Sequence, residues 1–211
     1  RSGTTTPTQL AKQCLQQIDR FEHCAQAWVI VDQENALRTA EQCTKRLLEE
    51  SSQSEIGPLF GIPIGIKDII DVQGFPTLAG SRLRESAMER YKAEQDAPLV
   101  AALRAAGAII LGKTVTVEFA CFDPSRTVNP WDPALSTIGN AENANFNPQF
   151  TAGGSSSGSA SAVGLGMCVA AIGTQTGGSL VRPSSYCGIC AMKPTFGSVD
   201  GHGIVPVTDV F

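Results

Sequence analysis

The sequence predicts an α/β protein, with a mixed β-sheet flanked by helices. The first observation is a helix at 98–106 that ends at Gly107 and is followed at once by the apolar, strand-like segment 108–111. The second is the same order further along the chain, where a small-residue helix precedes the apolar run 168–173. The 211 residues are enough for one sizeable core, so we expect a single domain over residues 1–211.

Start signals for several of these elements can be located. Thr6–Gln9 forms a capping box with proline at the first helical position, which predicts a helix to about Glu22. Asp32 is the expected cap of a second helix, and Asp96 that of the helix at 98–106. The apolar segment 59–70, LFGIPIGIKDII, predicts a strand pair or a bent strand that enters the core.

Composition excludes several classes of function. The 211 residues are 42% hydrophobic and carry a net charge of −4, without a cluster of lysine and arginine. Without such a cluster, phosphate contacts are not expected. Only 6% of the residues are aromatic, so base stacking is not expected either, and no nucleic-acid partner is predicted. No segment has the pattern of a membrane span. The first residues lack both Met and an apolar signal core, and the last form an apolar run, so we expect an excerpt of a longer domain.

The seven cysteines are an odd number and lie mostly in apolar or helical contexts. This favours reduced, buried thiols and a cytoplasmic location. Cys187 and Cys190 have CxxC spacing, so a redox pair or half of a zinc site is an alternative. Because no second CxxC or nearby histidine completes a metal site, no metal is predicted.

The most informative stretch runs from 151 to 195 and is rich in glycine and serine with almost no charge. It contains two Gly-Gly-Ser turns, at 153–155 and 177–179, and the apolar residues between them would not be needed in a solvated linker. Glycine beside serine in a buried segment predicts a backbone that approaches a ligand closely, with hydroxyl groups directed at it.

Two short motif matches suggest other kinds of site. Residues 107–114 fit the phosphate-loop pattern G-x-x-x-x-G-K-[ST], but the segment inside the match is itself strand-like, so we consider the match accidental. Residues 154–158 fit the G-x-S-x-G nucleophile elbow, with Ser156 as nucleophile, although His202 is the only histidine that follows.

Because histidine is so scarce, a buried neutral Lys67 is a candidate base for a serine nucleophile. Lys67 could equally mark a strand end and pair with Asp68, and the residues alone leave both interpretations open.

Three motifs together resemble the amidase signature family of serine hydrolases, whose triad is Ser–cisSer–Lys. They are Lys67 within GIPIGIKDII, GGSSSGSA from Gly153, and GTQTGGSLVRPSSYCGICAMKPT from Gly173. They occur in the family's order, and the resemblance extends over AGAIILGKT, NPWDP and the N-terminal helices. It implies the amidase signature fold, of which this chain would be the N-terminal half.

The resemblance also implies roles for particular residues. Ser179 corresponds to the nucleophile, Ser155 to a bridging serine held by a cis peptide, and Lys67 to the terminal base. Arg182 is given a structural role. The oxyanion hole corresponds to the backbone N–H groups of Thr176, Gly177, Gly178 and Ser179.

The implied activity is hydrolysis of a small linear carboxamide to a carboxylate and ammonia or an amine, through an acyl-enzyme on Ser179 and without a cofactor. The alternatives are a catalytically silent scaffold and a glutaminyl-tRNA amidotransferase A-type subunit. The sequence also leaves open whether the protein forms a homodimer. Gln175 departs from the family, since many relatives have aspartate there. A further departure is a predicted loop insertion at 134–152, centred on 135–149, which could cover the entrance to the site.

Overall fold

The computed structural model describes residues 5–49, 56–121, 123–136 and 147–207. The helices are α1 (Pro7–Ala25), α2 (Gln33–Glu49), α3 (Arg82–Glu85), α4 (Pro98–Ala105), α5 (Pro133–Ser136), α6 (Ser157–Gly164) and α7 (Val181–Tyr186). The strands are β1 (Trp28–Val31), β2 (Pro63–Lys67), β3 (Ile109–Thr114) and β4 (Ala170–Ile172). Short 3₁₀ turns lie at Met88–Tyr91 and Glu118–Ala120. None of the described helices combines the length and apolar content that a membrane crossing requires.

The strands form one mixed sheet in the order β1-β3-β2-β4. β2 runs parallel to both β3 and β4, whereas β1 pairs antiparallel with β3. Every residue of the two central strands is buried. The predicted α/β architecture with a mixed, helix-flanked sheet is therefore confirmed. The carboxyl ends of β2, β3 and β4 lie along one edge of the sheet, which is where α/β proteins usually place their functional side chains.

Alternate side chains of β3 divide the core into two clusters. Ile109 and Leu111 pack with apolar residues of α1 and α2, and Ile110 packs on the opposite face with Val100 of α4. This two-residue alternation gives the sheet a helical layer on each side. Gly112 allows β1 to approach β3, because a Cβ there would lie 2.0 Å from the Ile30 carbonyl oxygen.

The capping predictions have different outcomes. Thr6 forms the expected capping box at the start of α1, and the Asp32 carboxylate accepts from the Asn35 N–H at the start of α2. The prediction for Asp96 is wrong. Ala97 is the cap residue of α4, while the Asp96 carboxylate accepts from the Gln73 N–H and from Arg104. The Asp96 side chain therefore links the loop at Gln73 to α4 through Arg104 and does not cap the start of the helix.

Two further predictions concern the segments 59–70 and 134–152. The segment 59–70 contributes the single strand β2 and not a strand pair. The middle of the segment predicted as an insertion, residues 137–146, lies outside the described residues. Its two ends are held together by Asp132, whose carboxylate accepts from the N–H groups of Ala134, Gln149 and Phe150 at 2.6–2.9 Å. The insertion at 134–152 stays a prediction.

Candidate active site

Lys67 is the last residue of β2, and its side chain is fully buried. Its Nζ donates hydrogen bonds to Ser155 Oγ and to Thr174 Oγ1, both at 2.7 Å. No carboxylate in the described part of the chain pairs with it. Burial lowers the pKa of Lys67 to about 7, because the charged ammonium loses solvation that two neutral hydroxyl groups do not replace. A lysine in this state can accept a proton near neutral pH.

Asp68 does not pair with Lys67. Its carboxylate accepts from Lys113 Nζ at 2.9 Å, and both side chains are fully buried. Lys113 also donates to the carbonyl oxygen of Pro76 and to Thr77 Oγ1. The sequence had placed Lys113 in the phosphate-loop match. Because this residue is buried inside β3, the match is accidental, as expected.

Ser155 is placed by two glycines in the left-handed region. Gly153 has a φ of 71° and Gly154 a φ of 54°, and a Cβ on Gly154 would lie 2.4 Å from Pro183 Cδ. All peptide bonds of the described residues are trans, so the cis peptide expected at Ser155 is a wrong prediction. With these two positive φ angles, Ser155 reaches Lys67 through a trans bond.

Ser156 has a different environment from its neighbour. Its side chain is fully buried. Its Oγ donates to the Thr174 carbonyl at 3.1 Å and accepts from the Thr174 N–H at 3.2 Å. Its own N–H donates to the Ser179 carbonyl at 2.9 Å. The Ser156 side chain thus holds the segment after β4 in place. Because its hydroxyl is engaged in these two hydrogen bonds, the nucleophile-elbow hypothesis is weakened.

Ser179 lies at the end of an open turn. The segment 176–179 is exposed to half-buried, and none of its four N–H groups donates a hydrogen bond within the described residues. The Gln175 Oε1 accepts from the N–H groups of Leu180 at 3.0 Å and Val181 at 2.8 Å, which closes the turn. Ser155 and Ser179 line the same cavity of about 240 Å³.

The structure therefore brings Lys67, Ser155 and Thr174 into contact and places Ser179 on the cavity beside them. Sequence reasoning did not identify Thr174. Its hydroxyl group and its position five residues before Ser179 could have indicated that it belongs to the site. His202 is exposed on a turn and contacts Asp200, away from this cavity.

The other predicted alternatives concern cysteines and metals. All seven cysteines are free thiols; Cys187 is buried and Cys190 is exposed. Across the described ranges, no group of three or more His, Cys, Asp or Glu side chains could hold a metal ion.

A buried lysine that donates to a serine at the carboxyl edge of a mixed sheet is an arrangement suited to nucleophilic catalysis by serine. Residues 9–211 match the family model described as Amidase, and the chain belongs to this family. It is 36% identical over 210 residues to the A-type subunit of the glutamyl-tRNA(Gln) amidotransferase of Desulfotalea psychrophila, covering 97% of this chain and 39% of that protein.

Solved structures agree with this assignment. The native peptide amidase from Stenotrophomonas maltophilia is 34% identical, with a TM-score of 0.78, over 98% of this chain and 40% of that one. The corresponding A-type subunit of the glutamyl-tRNA(Gln) amidotransferase from Thermotoga maritima is 33% identical, with a TM-score of 0.69, over 94% of this chain and 38% of that one. The chain thus spans about two fifths of the length of these relatives.

Proposed function

We propose that the full-length protein hydrolyses a linear carboxamide to a carboxylate and ammonia or an amine, through an acyl-enzyme on Ser179. The observation that supports this most directly is the contact between Lys67 Nζ and Ser155 Oγ at 2.7 Å. It combines a base whose pKa is lowered to about 7 with a hydroxyl that can pass a proton on. Ser155 shares a cavity with Ser179, so a relay from Ser179 through Ser155 to Lys67 is the chemistry that this arrangement favours.

Acylation would begin when neutral Lys67 accepts the Ser155 proton while Ser155 accepts the proton of Ser179. The Ser179 oxygen then forms a bond to the amide carbon, and the carbonyl π electrons move to its oxygen. When this tetrahedral intermediate collapses, the carbon–nitrogen bond breaks. The relay returns the proton to the leaving nitrogen, which departs as ammonia or an amine.

Water would complete the cycle by the same route. It gives a proton to the relay, attacks the acyl carbon and breaks the bond to Ser179, which recovers its proton as the carboxylic acid leaves and ionises. The free N–H groups of the 176–179 turn are suited to bind the oxyanion of both intermediates. A donor of this kind typically contributes about 3–4 kcal/mol to transition-state stabilisation.

A second candidate is a component of a tRNA-dependent amidotransferase, and the names of the relatives in Desulfotalea psychrophila and Thermotoga maritima favour it. In this case the same site would release ammonia for a partner protein to use. Purification of the tagged full-length protein from its native source separates the two candidates. A stoichiometric partner and glutamine as the preferred amide would support the amidotransferase component, whereas activity of the isolated chain on simple amides would support the stand-alone amidase.

Labelling of the full-length protein with a fluorophosphonate, followed by peptide mass spectrometry, tests the assignment of the nucleophile. We expect the adduct on Ser179, no adduct in Ser179→Ala, and normal labelling in the matched exposed-serine control Ser86→Ala. An adduct on Ser156 would overturn the assignment in favour of the nucleophile elbow. No adduct on a folded sample would support the catalytically silent scaffold.

A cytoplasmic location is part of this proposal. It is supported by the seven cysteines, all of which are free thiols, as is usual where glutathione and thioredoxin keep proteins reduced.

A further inference from the structure

Three of the four non-glycine residues with positive φ in the described chain lie at one place. Ala79 has a φ of 53°, Phe119 a φ of 46° and Ala120 a φ of 58°. They are in direct contact, because the Phe119 N–H donates to the Ala79 carbonyl at 2.8 Å. A residue with a Cβ disfavours this left-handed region, and such strain persists only where the surrounding structure enforces it, often at functional sites. The conformation of the turn 117–120 is therefore imposed by its neighbours.

This turn forms one wall of the cavity that contains the candidate serines. Val117 and Ala120 line the cavity, as do Ser155 and Ser179. The Val117 N–H donates to the Ser155 carbonyl at 3.4 Å. The Ala120 N–H donates to the Val117 carbonyl at 3.0 Å and closes the turn. The conformation of the turn thus affects both the shape of the cavity and the backbone that carries Ser155.

The Phe119 ring joins the turn to the segment 82–91 through a half-buried arginine. The Arg84 guanidinium carbon lies 5.0 Å from the centroid of the Phe119 ring and 4.8 Å from that of the Tyr91 ring. Both distances are in the range of a cation–π contact. Arg84 Nη1 also donates to the Thr77 carbonyl at 3.2 Å, which fixes the guanidinium group. The side chains of Arg84, Tyr91 and Phe119 are called the aromatic clamp below.

Further contacts tie the turn to the end of β2, which carries the candidate base. The Ala79 N–H donates to the Asp68 carbonyl at 2.9 Å, one residue beyond β2. Gly80 packs closely on the turn, since a Cβ there would lie 2.7 Å from the Thr116 carbonyl oxygen. The turn is thus held between the backbone after β2 and that of Ser155, and the aromatic clamp holds the one side chain of the turn that contacts both of the other clamp residues' segment.

We propose that Arg84 is a positioning residue that acts through Phe119 and holds the 117–120 turn as a wall of the candidate active site. Arg84 is not among the described residues that line the cavity, so its effect on the site passes through the turn. Without the guanidinium, Phe119 loses the contact that offsets its strained backbone, and the turn relaxes away from Ser155. This inference rests on the proposed amidase function.

Hydrogen exchange tests the clamp without any need for turnover. In the full-length protein, Arg84→Met should accelerate exchange of the amides in the peptide 115–121 by at least tenfold, while the strand peptide 109–114 keeps its wild-type rate. Arg82→Met, at an exposed arginine of the same short helix, is the matched control and should leave both peptides unchanged. Equal acceleration of both peptides indicates a general loss of stability, and that result, or no acceleration at all, would overturn the proposal.

The rate at which a fluorophosphonate labels Ser179 links the clamp to the reaction. Arg84→Met should lower this rate and kcat by about tenfold, with KM within threefold of the wild type, because the relay groups are less well aligned. Phe119→Leu removes one ring of the clamp and should have the same effect. The double variant should be no slower than either single variant, since the two residues act as a unit.

The outcomes separate this inference from the proposed reaction. Wild-type labelling of Ser179 in Arg84→Met, or losses that add in the double variant, would refute the positioning role and leave the amidase proposal standing. Exchange that depends on Arg84, in a protein that neither labels at Ser179 nor hydrolyses amides, would support the role of the clamp and refute the reaction.

Discussion

Asp68 follows Lys67 directly in the chain, yet its carboxylate pairs with Lys113 at 2.9 Å, and within the described residues the amine of Lys67 has hydroxyl partners alone. Strand-like hydrogen bonding continues through this point, because the Asp68 N–H donates to the Thr114 carbonyl. Consecutive side chains in such a segment point to opposite faces of the sheet. The negative charge closest to Lys67 in sequence is thus neutralised by another lysine, and burial alone lowers the pKa of Lys67.

The first prediction concerns this buried ion pair. Lys113→Met leaves a buried carboxylate without its partner, and we expect the free energy of unfolding to fall by about 3–5 kcal/mol. Adding Asp68→Asn removes the unpaired charge and should recover most of that loss. Equilibrium denaturation in urea measures both effects, with Lys12→Met at an exposed position of α1 as the control. A single variant within about 1 kcal/mol of the wild type would show that the pair is not needed for stability.

The second prediction is the pH dependence of activity. Lys67 must be neutral to accept a proton, and its pKa is lowered to about 7, so kcat/KM should rise with pH and reach half of its plateau near pH 7. Below that pH the protonated amine has no lone pair for the relay. Lys67→Met should lower the plateau by about 10²–10⁴-fold. A wild-type profile that is flat down to pH 5, or a Lys67→Met variant of wild-type rate, would contradict the assignment of Lys67 as the base.

Thr174 provides a third prediction with two separate readouts. Its hydroxyl accepts from Lys67 Nζ at 2.7 Å, and this contact stabilises the ammonium more than the amine. Thr174→Val should therefore move the acidic limb of the profile to lower pH. It should also lower the plateau by roughly tenfold, because the amine is less well oriented. Thr174→Ser keeps the hydroxyl and should restore both values, and a plateau loss without any movement of the limb would point to a packing defect.

The sequence predicted the main groups of this site through three separate motifs. That these motifs lie close together in space depends on the strand order of the sheet, which no local sequence pattern predicts. Lys67 and Thr174 come together because β2 lies beside β4 in a parallel pair, so that the carboxyl ends of both strands share one edge. Once this adjacency is known, the Gly153–Gly154 turn brings Ser155 to the same edge.

What sequence reasoning missed was decided by competition among polar groups. Asp96 matches a cap signal, but its carboxylate accepts from the Gln73 N–H and from the Arg104 side chain and does not cap the first turn of α4. Lys113 lies in a phosphate-loop match that the sequence already indicated to be accidental, but its role as the buried partner of Asp68 was not predicted. Such choices depend on which donor is within reach after folding, and that information is not local to either residue.

Gln175 is the subject of a fourth prediction. Its Oε1 accepts from the Leu180 and Val181 N–H groups and so sets the shape of the turn that ends at Ser179. Gln175→Leu removes this acceptor, and we expect kcat to fall by about 10- to 100-fold while KM changes little. Gln175→Glu retains the acceptor oxygen and serves as the matched variant, for which Ser179 labelling should stay close to the wild-type rate. If both variants label Ser179 equally fast, Gln175 does not shape the turn.

The fifth prediction separates the cysteines from the chemistry. Burial raises the pKa of Cys187 to about 12, so this residue is a thiol at neutral pH and a poor nucleophile or metal ligand. The double variant Cys187→Ser, Cys190→Ser should keep kcat/KM within about twofold of the wild type. Its free energy of unfolding should fall by about 1–2 kcal/mol, and Cys187→Ser alone should account for that loss, because Cys190 is exposed. Activity that disappears while the denaturation midpoint is unchanged would instead assign the CxxC pair a redox or metal-binding role.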